Sequence, residues 1–163
     1  MRTRRLALCA LLSAVALTIF VLEAQIPIPL PVPGIKLGLS NIVTVFALSA
    51  LGWREALAIV LVRVLLGSLA TGQLMALLYS LAGGLFSFVC MALVLRLLKP
   101  EQLWVCGVVG GITHNIAQMA VAAAVTQTPA LLAYLPVLLL GGMLTGAFTG
   151  LCARLLRKHF GFK

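Results

Sequence analysis

The chain has 163 residues, of which 63% are hydrophobic and 9% are charged, and its formal net charge is +9. A soluble domain has about 25% charged residues, so this composition excludes an ordinary soluble enzyme. The basic residues are spread between long apolar segments rather than gathered on one face, which argues against nucleic-acid binding.

Six apolar segments approach the roughly 20 residues that a membrane-spanning helix needs. We therefore predict an all-α, polytopic membrane protein, with residues 1–163 forming a single transmembrane domain of about six helices. The second and third segments are short and lie close together around Trp53 and Arg54, so a helical hairpin that does not fully cross is the alternative. The predicted helices cover residues 6–26, 37–52, 55–71, 73–95, 103–126 and 131–151.

Most of the basic residues lie where a chain that crosses six times would return to one side. The positive-inside rule assigns that side to the cytoplasm, so both termini are predicted to be cytoplasmic. Five crossings would separate the two basic tails, which is why we favour six. The ten residues are Arg2, Arg4, Arg5, Arg54, Arg96, Lys99, Arg154, Arg157, Lys158 and Lys163.

The loop after the first helix has a proline at every second position. Proline lacks an N–H and fixes φ near −65°, so this loop can form neither a helix nor a paired strand. It is either a stiff connection or a lid over a binding site, and Lys36 and Asn41 close behind it favour the lid. The residues predicted to form this lid are Pro27, Pro29, Pro31, Pro33 and Gly34.

Three of the charged side chains within or beside the first three helices are candidates for a ligand-binding site. Glu23 is near the outer end of the first helix and is expected to pair with Lys36 or with a ligand. Arg63 lies inside an apolar segment, where an unpaired charge costs several kcal/mol, about 3 or more at the centre of a helix. Arg63 is therefore a candidate ligand-binding residue, with a structural pair or snorkelling as the alternative.

The fifth helix carries a cluster of polar residues after two glycines. His114 and Gln118 share one helix face, and Asn115 lies beside them. Such residues either hold helices together or line a binding site, and three together favour a site. Tyr79 on the fourth helix is a weaker candidate for the same site. We expect His114, Asn115 and Gln118 to meet Lys36 and Arg63 in one cavity in the outer half of the bundle, beneath the proline loop.

Several signs argue against catalysis by this chain. It contains no aspartate, and its three acidic residues are Glu23, Glu55 and Glu101. It has no P-loop for ATP hydrolysis, and no neighbouring carboxylates to hold Mg²⁺ on a diphosphate. The four cysteines have no metal-site spacing. We therefore predict no enzyme activity, no metal site and no cofactor.

The motifs PGIKLGLSN, LVRVLLG, LYSLAGGLFS and THNIAQ closely resemble one bacterial family across nearly the whole chain. This family is called both the Gx transporter family and heptaprenyl diphosphate synthase component I. It is similar in size and topology to the substrate-binding S components of energy-coupling-factor (ECF) transporters. That resemblance implies a six-helix protein of the bacterial cytoplasmic membrane that binds a small solute near the outer face.

The resemblance also implies partners for this chain. ECF S components dock on a membrane-embedded coupling subunit and two ATPases through an AxxxA motif, which Ala10 and Ala14 match on the first helix. The expected solute is anionic, or related to isoprenoids, quinones or flavins. The main alternative is a non-catalytic membrane subunit of heptaprenyl diphosphate synthase or of quinone biosynthesis. A third hypothesis is a structural subunit, or a subunit of an electron-transfer complex, without a ligand.

Overall fold

Six α-helices and two short 3₁₀ turns make up the structure, which is a computed structural model describing residues 2–26, 36–72 and 74–161. These residues contain no β-strand, so the all-α class is confirmed for them. The 3₁₀ turns, Pro100–Gln102 and Pro129–Tyr134, lie just before the fifth and sixth helices. The helices are α1 (Arg2–Glu23), α2 (Asn41–Ala50), α3 (Trp53–Thr71), α4 (Leu74–Val94), α5 (Leu103–Val125) and α6 (Leu135–His159).

Four of the described helices are long and apolar enough to cross a membrane, namely α1, α4, α5 and α6. The third helix has 19 residues but carries Arg54, Glu55 and Arg63. The second has 10 residues and rises about 15 Å, half of the roughly 30 Å hydrocarbon core. The membrane setting therefore fits the structure, while the number of six crossings stays a prediction.

The second helix begins four residues later than the sequence pattern predicts. Gly38 has φ +81°, a left-handed conformation that cannot continue a right-handed helix. The carbonyls of Gly38, Leu39 and Ser40 instead accept hydrogen bonds three residues ahead, so α2 starts with a tight turn at Asn41. The segment from Lys36 to Ser40 is therefore an irregular part of the chain, although three of its five residues are buried.

The sixth helix is displaced from its predicted range at both ends. Pro129 starts a 3₁₀ turn, and Pro136 lies in the first turn of α6, where a missing N–H costs nothing. At the other end, α6 continues through the basic residues to His159. Hydropathy stopped the predicted segment at residue 151, but charged residues with good helix propensity extend a helix beyond its apolar part.

The fifth helix packs against α4 and α6, while α1 packs on α3, and α2 lies between α3 and α6. Glycines allow close approach of the backbones of α5 and α6. A Cβ on Gly107 would overlap the carbonyl oxygen of Gly146, and one on Gly111 would overlap that of Gly142. The small residues of α6 thus serve packing inside the bundle, as small-xxx-small spacing allows.

Candidate functional site

All eight residues predicted to bind a ligand are buried, and each exposes at most 4% of its surface. The structure brings six of them into one connected group, joined by hydrogen bonds or by short approaches between helices. We call this group the polar cluster. It consists of Glu23, Lys36, Asn41, Arg63, His114 and Gln118, of which Glu23 joins through the backbone of the 36–40 segment.

Arg63 enters the polar cluster from the middle of α3. Its Nη2 atom donates a hydrogen bond of 2.8 Å to Oδ1 of Asn41, the first residue of α2. The Nε and Nη1 atoms of Arg63 are buried without a hydrogen-bond partner among the described residues. The guanidinium is thus oriented by an amide and keeps donors available for another group.

Gln118 connects α5 to the irregular segment before α2. Its Oε1 atom accepts a hydrogen bond of 3.0 Å from the backbone N–H of Lys36. Its Nε2 atom contacts Nε2 of His114, one turn earlier on the same helix. Since an amide nitrogen donates, the imidazole Nε2 accepts in this pair, and the proton of a neutral ring is then on Nδ1.

Two glycines outside the predicted site give these side chains room. A Cβ on Gly83 of α4 would lie 2.8 Å from Cγ of Gln118 and 2.9 Å from the ring of His114. A Cβ on Gly38 would lie 3.1 Å from the ring of His114 and 3.1 Å from Nδ2 of Asn41. A Cβ on Gly83 would force neighbouring side chains to shift, and at Gly38 the left-handed φ of +81° adds to the tight fit. Neither residue stood out in the sequence by its own chemistry.

Glu23 has a structural partner that the sequence pattern did not reveal. Its Oε1 atom accepts hydrogen bonds from the backbone N–H groups of Gly38 and Leu39. These N–H groups lie just before α2 and have no intrahelical acceptor, so the carboxylate of Glu23 caps the start of the helix. The positive end of the helix dipole also stabilises the negative charge of the carboxylate at this position. The pairing expected with Lys36 does not form as an ion pair in the described structure.

Lys36 directs its ammonium group at an aromatic ring instead. The Nζ atom lies 3.0 Å from the centroid of the Phe20 ring, a cation–π contact. Phe20 fits there because α3 has Gly67 at this level, where a Cβ would overlap the ring. Burial lowers the pKa of Lys36 to about 8, although the nearby Glu23 opposes that change. Lys36 Nζ has no hydrogen-bond partner among the described residues.

Asn115 and Tyr79 have other surroundings. The Nδ2 atom of Asn115 donates a hydrogen bond of 2.6 Å to the carbonyl oxygen of Leu138 and so joins α5 to α6. Tyr79 packs in an apolar cluster with Met119, Leu131 and others. A helix turns about 100° per residue, so Asn115 points away from the face that His114 and Gln118 share.

The remaining predicted residues are the lid and the docking pair. Pro27, Pro29, Pro31, Pro33 and Gly34 lie outside the described residues. Ala10 and Ala14 are exposed on α1, in the half of the helix that begins at the chain's basic end. Among the described residues, no group of three His, Cys, Asp or Glu side chains is placed to hold a metal ion.

Donors without a partner outnumber acceptors in and around the polar cluster. Ten buried side-chain atoms of described residues lack a hydrogen-bond partner. Two can only accept, Oε2 of ionised Glu23 and Oδ1 of Asn115, and four are hydroxyls or an imidazole nitrogen. The four that can only donate are Lys36 Nζ, Asn41 Nδ2, Arg63 Nε and Arg63 Nη1.

The comparisons with known proteins point to one family. The model of the family described as heptaprenyl diphosphate synthase component I matches residues 12–156, a range that includes part or all of each helix. No curated protein and no solved structure matches the chain. The resemblance inferred from the sequence motifs is therefore confirmed at the level of the family.

Proposed function

Because the chain belongs to the heptaprenyl diphosphate synthase component I family, we propose that it is a non-catalytic membrane subunit whose polar cluster binds an anionic ligand. The words "component I" imply a second component, to which we assign the catalysis. This chain then supplies the membrane setting and a binding site for the synthase.

The proposed topology has six crossings with both termini in the cytoplasm. Four long apolar helices support the membrane setting. The basic residues outside the polar cluster support the orientation, because the helix ends that carry them lie at one end of the bundle. Arg5 on α1 is 3.8 Å from Glu55 at the start of α3, which is consistent with both helix ends being on one side. The polar cluster then lies in the outer half.

The acidic residues support a non-catalytic role. Condensation of prenyl diphosphates needs carboxylates that hold Mg²⁺ on the diphosphate, and hard cations require several such oxygen ligands. The sequence has no aspartate, and its three glutamates are far apart along the chain. Glu23 is engaged by backbone N–H groups, Glu55 lies near Arg5, and Glu101 is exposed in a 3₁₀ turn.

The observation that carries the ligand proposal is the excess of buried donors on Arg63 and Lys36. A buried charge without a counter-charge costs several kcal/mol, and Glu23 balances only one of two cations. An anionic group between Arg63 and Lys36 would accept from these donors and balance the second charge. A carboxylate or phosphate on an isoprenoid-, quinone- or flavin-related molecule has this chemistry.

A second candidate function is solute binding in a transporter, as in the S components that the sequence resembles. The observation that favours it is the exposure of Ala10 and Ala14, which leaves a surface of small residues on α1 open to another helix. In this case the partners are a membrane-embedded coupling subunit and ATPases, and the polar cluster binds the transported solute.

Purification of the complex from its native membrane tests the proposal and separates the two candidates. The tagged chain is extracted in mild detergent, and its partners and small molecules are identified by mass spectrometry. We expect a soluble prenyl diphosphate synthase subunit. Recovery of ATPases with a coupling subunit instead would support the transport function and refute the synthase proposal. An Ala10→Leu, Ala14→Leu variant shows whether α1 contacts the partner found.

A further inference from the structure

A basic groove lies at the end of the bundle opposite to the polar cluster. It has a volume of about 320 Å³ and lies between the last turns of α6 and the 3₁₀ turn before α5. The basic groove is lined by Pro100, Glu101, Arg154, Arg157 and Lys158.

The three cations of the basic groove come from one face of α6. Residues at i, i+3 and i+4 lie side by side on a helix, which applies to Arg154, Arg157 and Lys158. With Glu101 as the single carboxylate, the lining has an excess of two positive charges. The positive-inside rule explains why basic residues occur at this end, but it requires no concave surface that gathers three of them.

An apolar groove adjoins the basic groove. It has a volume of about 520 Å³ and is lined by Leu155, Leu156, Lys158 and His159. Lys158 lines both grooves, so they are neighbours on the surface of α6. The side chain of Leu155 is 65% exposed, which leaves apolar surface available beside the cations.

We propose that the two grooves together bind an amphiphile with a phosphate or diphosphate headgroup. The headgroup lies in the basic groove, where the guanidinium of Arg154 matches phosphate oxygens and Lys158 adds a point charge. The apolar chain of the same molecule lies along the apolar groove. An isoprenoid diphosphate and an anionic phospholipid both have this chemistry.

This site is separate from the polar cluster. The C-terminal half of α6 approaches the start of α5, where a Cβ on Gly150 would lie 2.6 Å from Cα of Trp104. His114 is ten residues further along α5, a rise of about 15 Å. The inference rests on the proposed membrane orientation but not on any ligand of the polar cluster. If the synthase role holds, the groove places a diphosphate at the membrane surface, within reach of a soluble subunit.

The test uses the full chain, purified in an uncharged detergent, with farnesyl diphosphate and phosphatidylglycerol as separate probes and farnesol as the uncharged analogue. The variant is Arg154→Gln, Lys158→Gln. Its matched control is Arg4→Gln, Arg96→Gln, which removes the same charge at the same end of the bundle but outside both grooves. Binding is measured by microscale thermophoresis at two salt concentrations.

We expect saturable binding of at least one phosphate-bearing probe and none of farnesol. The groove variant should bind about tenfold more weakly, and the control within about twofold, because two partly exposed charge contacts are lost only in the first. A Lys158→Arg variant keeps the charge, and because a guanidinium also binds phosphate it should retain binding, which shows that the loss in the double variant comes from the lost charges.

The two probes distinguish the sources of the headgroup. Binding of farnesyl diphosphate alone assigns the site to isoprenoid diphosphates, and binding of phosphatidylglycerol alone assigns it to lipid. Equal weakening in groove and control variants would overturn the proposal, as would no saturable binding of either probe. Retained probe binding without a synthase subunit in the purified complex would refute the proposed function and leave this site standing.

Discussion

Arg63 in the middle of α3 donates a 2.8 Å hydrogen bond to Asn41 in the first turn of α2. This contact joins a buried charge to a buried amide across two helices, and both residues expose 2% or less of their surface. Asn41 fixes one side of the guanidinium, which leaves Nε and Nη1 as the donors for a ligand.

Replacement of Arg63 should remove the ligand while the protein still inserts. An Arg63→Gln variant loses a charged hydrogen bond, about 1.5–3 kcal/mol, so affinity should fall about ten- to a hundredfold. Native mass spectrometry of the purified protein measures the fraction that retains its small molecule. Arg54→Gln on the same helix is the matched control, since Arg54 lies over the exposed Trp53 ring. Equal retention in wild type and Arg63→Gln would reduce Arg63 to a structural role.

A methyl group at Gly83 should disturb the polar cluster through packing alone. The Cβ of Gly83→Ala would approach Gln118 to 2.8 Å and His114 to 2.9 Å, so we expect destabilisation of about 1–3 kcal/mol. At Gly84 the nearest atom is 3.4 Å away, and Gly84→Ala should be near neutral. Thermal unfolding in detergent compares these neighbouring variants. Similar melting temperatures for both would contradict the close packing of α4 against α5.

The titration of Lys36 should make the stability of the folded protein depend on pH in the alkaline range. Burial lowers its pKa to about 8 in the folded state, against 10.5 as the ordinary value. Between these values the unfolded chain binds more protons than the folded one, so stability rises with pH across this range. Lys36→Met removes the titration. The melting temperature of wild type relative to Lys36→Met should therefore increase from pH 8 to pH 10, and a constant difference would contradict the prediction.

Cysteine labelling tests the topology with two residues that are predicted to lie on opposite sides of the membrane. The native cysteines Cys9, Cys90, Cys106 and Cys152 are free, so a cysteine-free background is the starting point. Thr128→Cys, between α5 and α6, should react with a membrane-impermeant maleimide added to intact cells. Glu101→Cys, between α4 and α5, should react only after lysis. Both positions are exposed. The reverse pattern would place the termini outside.

The sequence was informative about the polar residues because their chemistry is costly inside a membrane. A charge or amide in hydrocarbon needs a partner, so the convergence of Lys36, Arg63, His114 and Gln118 followed from their position in apolar segments. Their assignment to a binding site stays a prediction. Asn115 could have been separated from His114 by helix periodicity, since residues three or four apart share a helix face and adjacent residues do not.

Other features depend on contacts that no local pattern contains. The start of α2 depends on the left-handed φ of Gly38 and on a carboxylate from α1. Hydropathy therefore extended α2 to Leu37. The roles of Gly83 and Gly67 also depend on contacts with helices distant in sequence. The sequence alone does not show whether a glycine within a helix faces a close neighbour or open space.

The irregular segment before α2 has a consequence for biosynthesis. Two of its backbone groups bond to side chains that are translated much later: Gln118 follows Lys36 by 82 residues, and Thr145, which donates to the carbonyl of Leu37, follows that residue by 108. At ribosomal rates of about 5–20 residues per second, the second partner emerges roughly 5–20 s after the segment. During that interval the segment has to be hydrated or held by the insertion machinery. The N-terminal half therefore cannot reach its final arrangement before the C-terminal half is inserted.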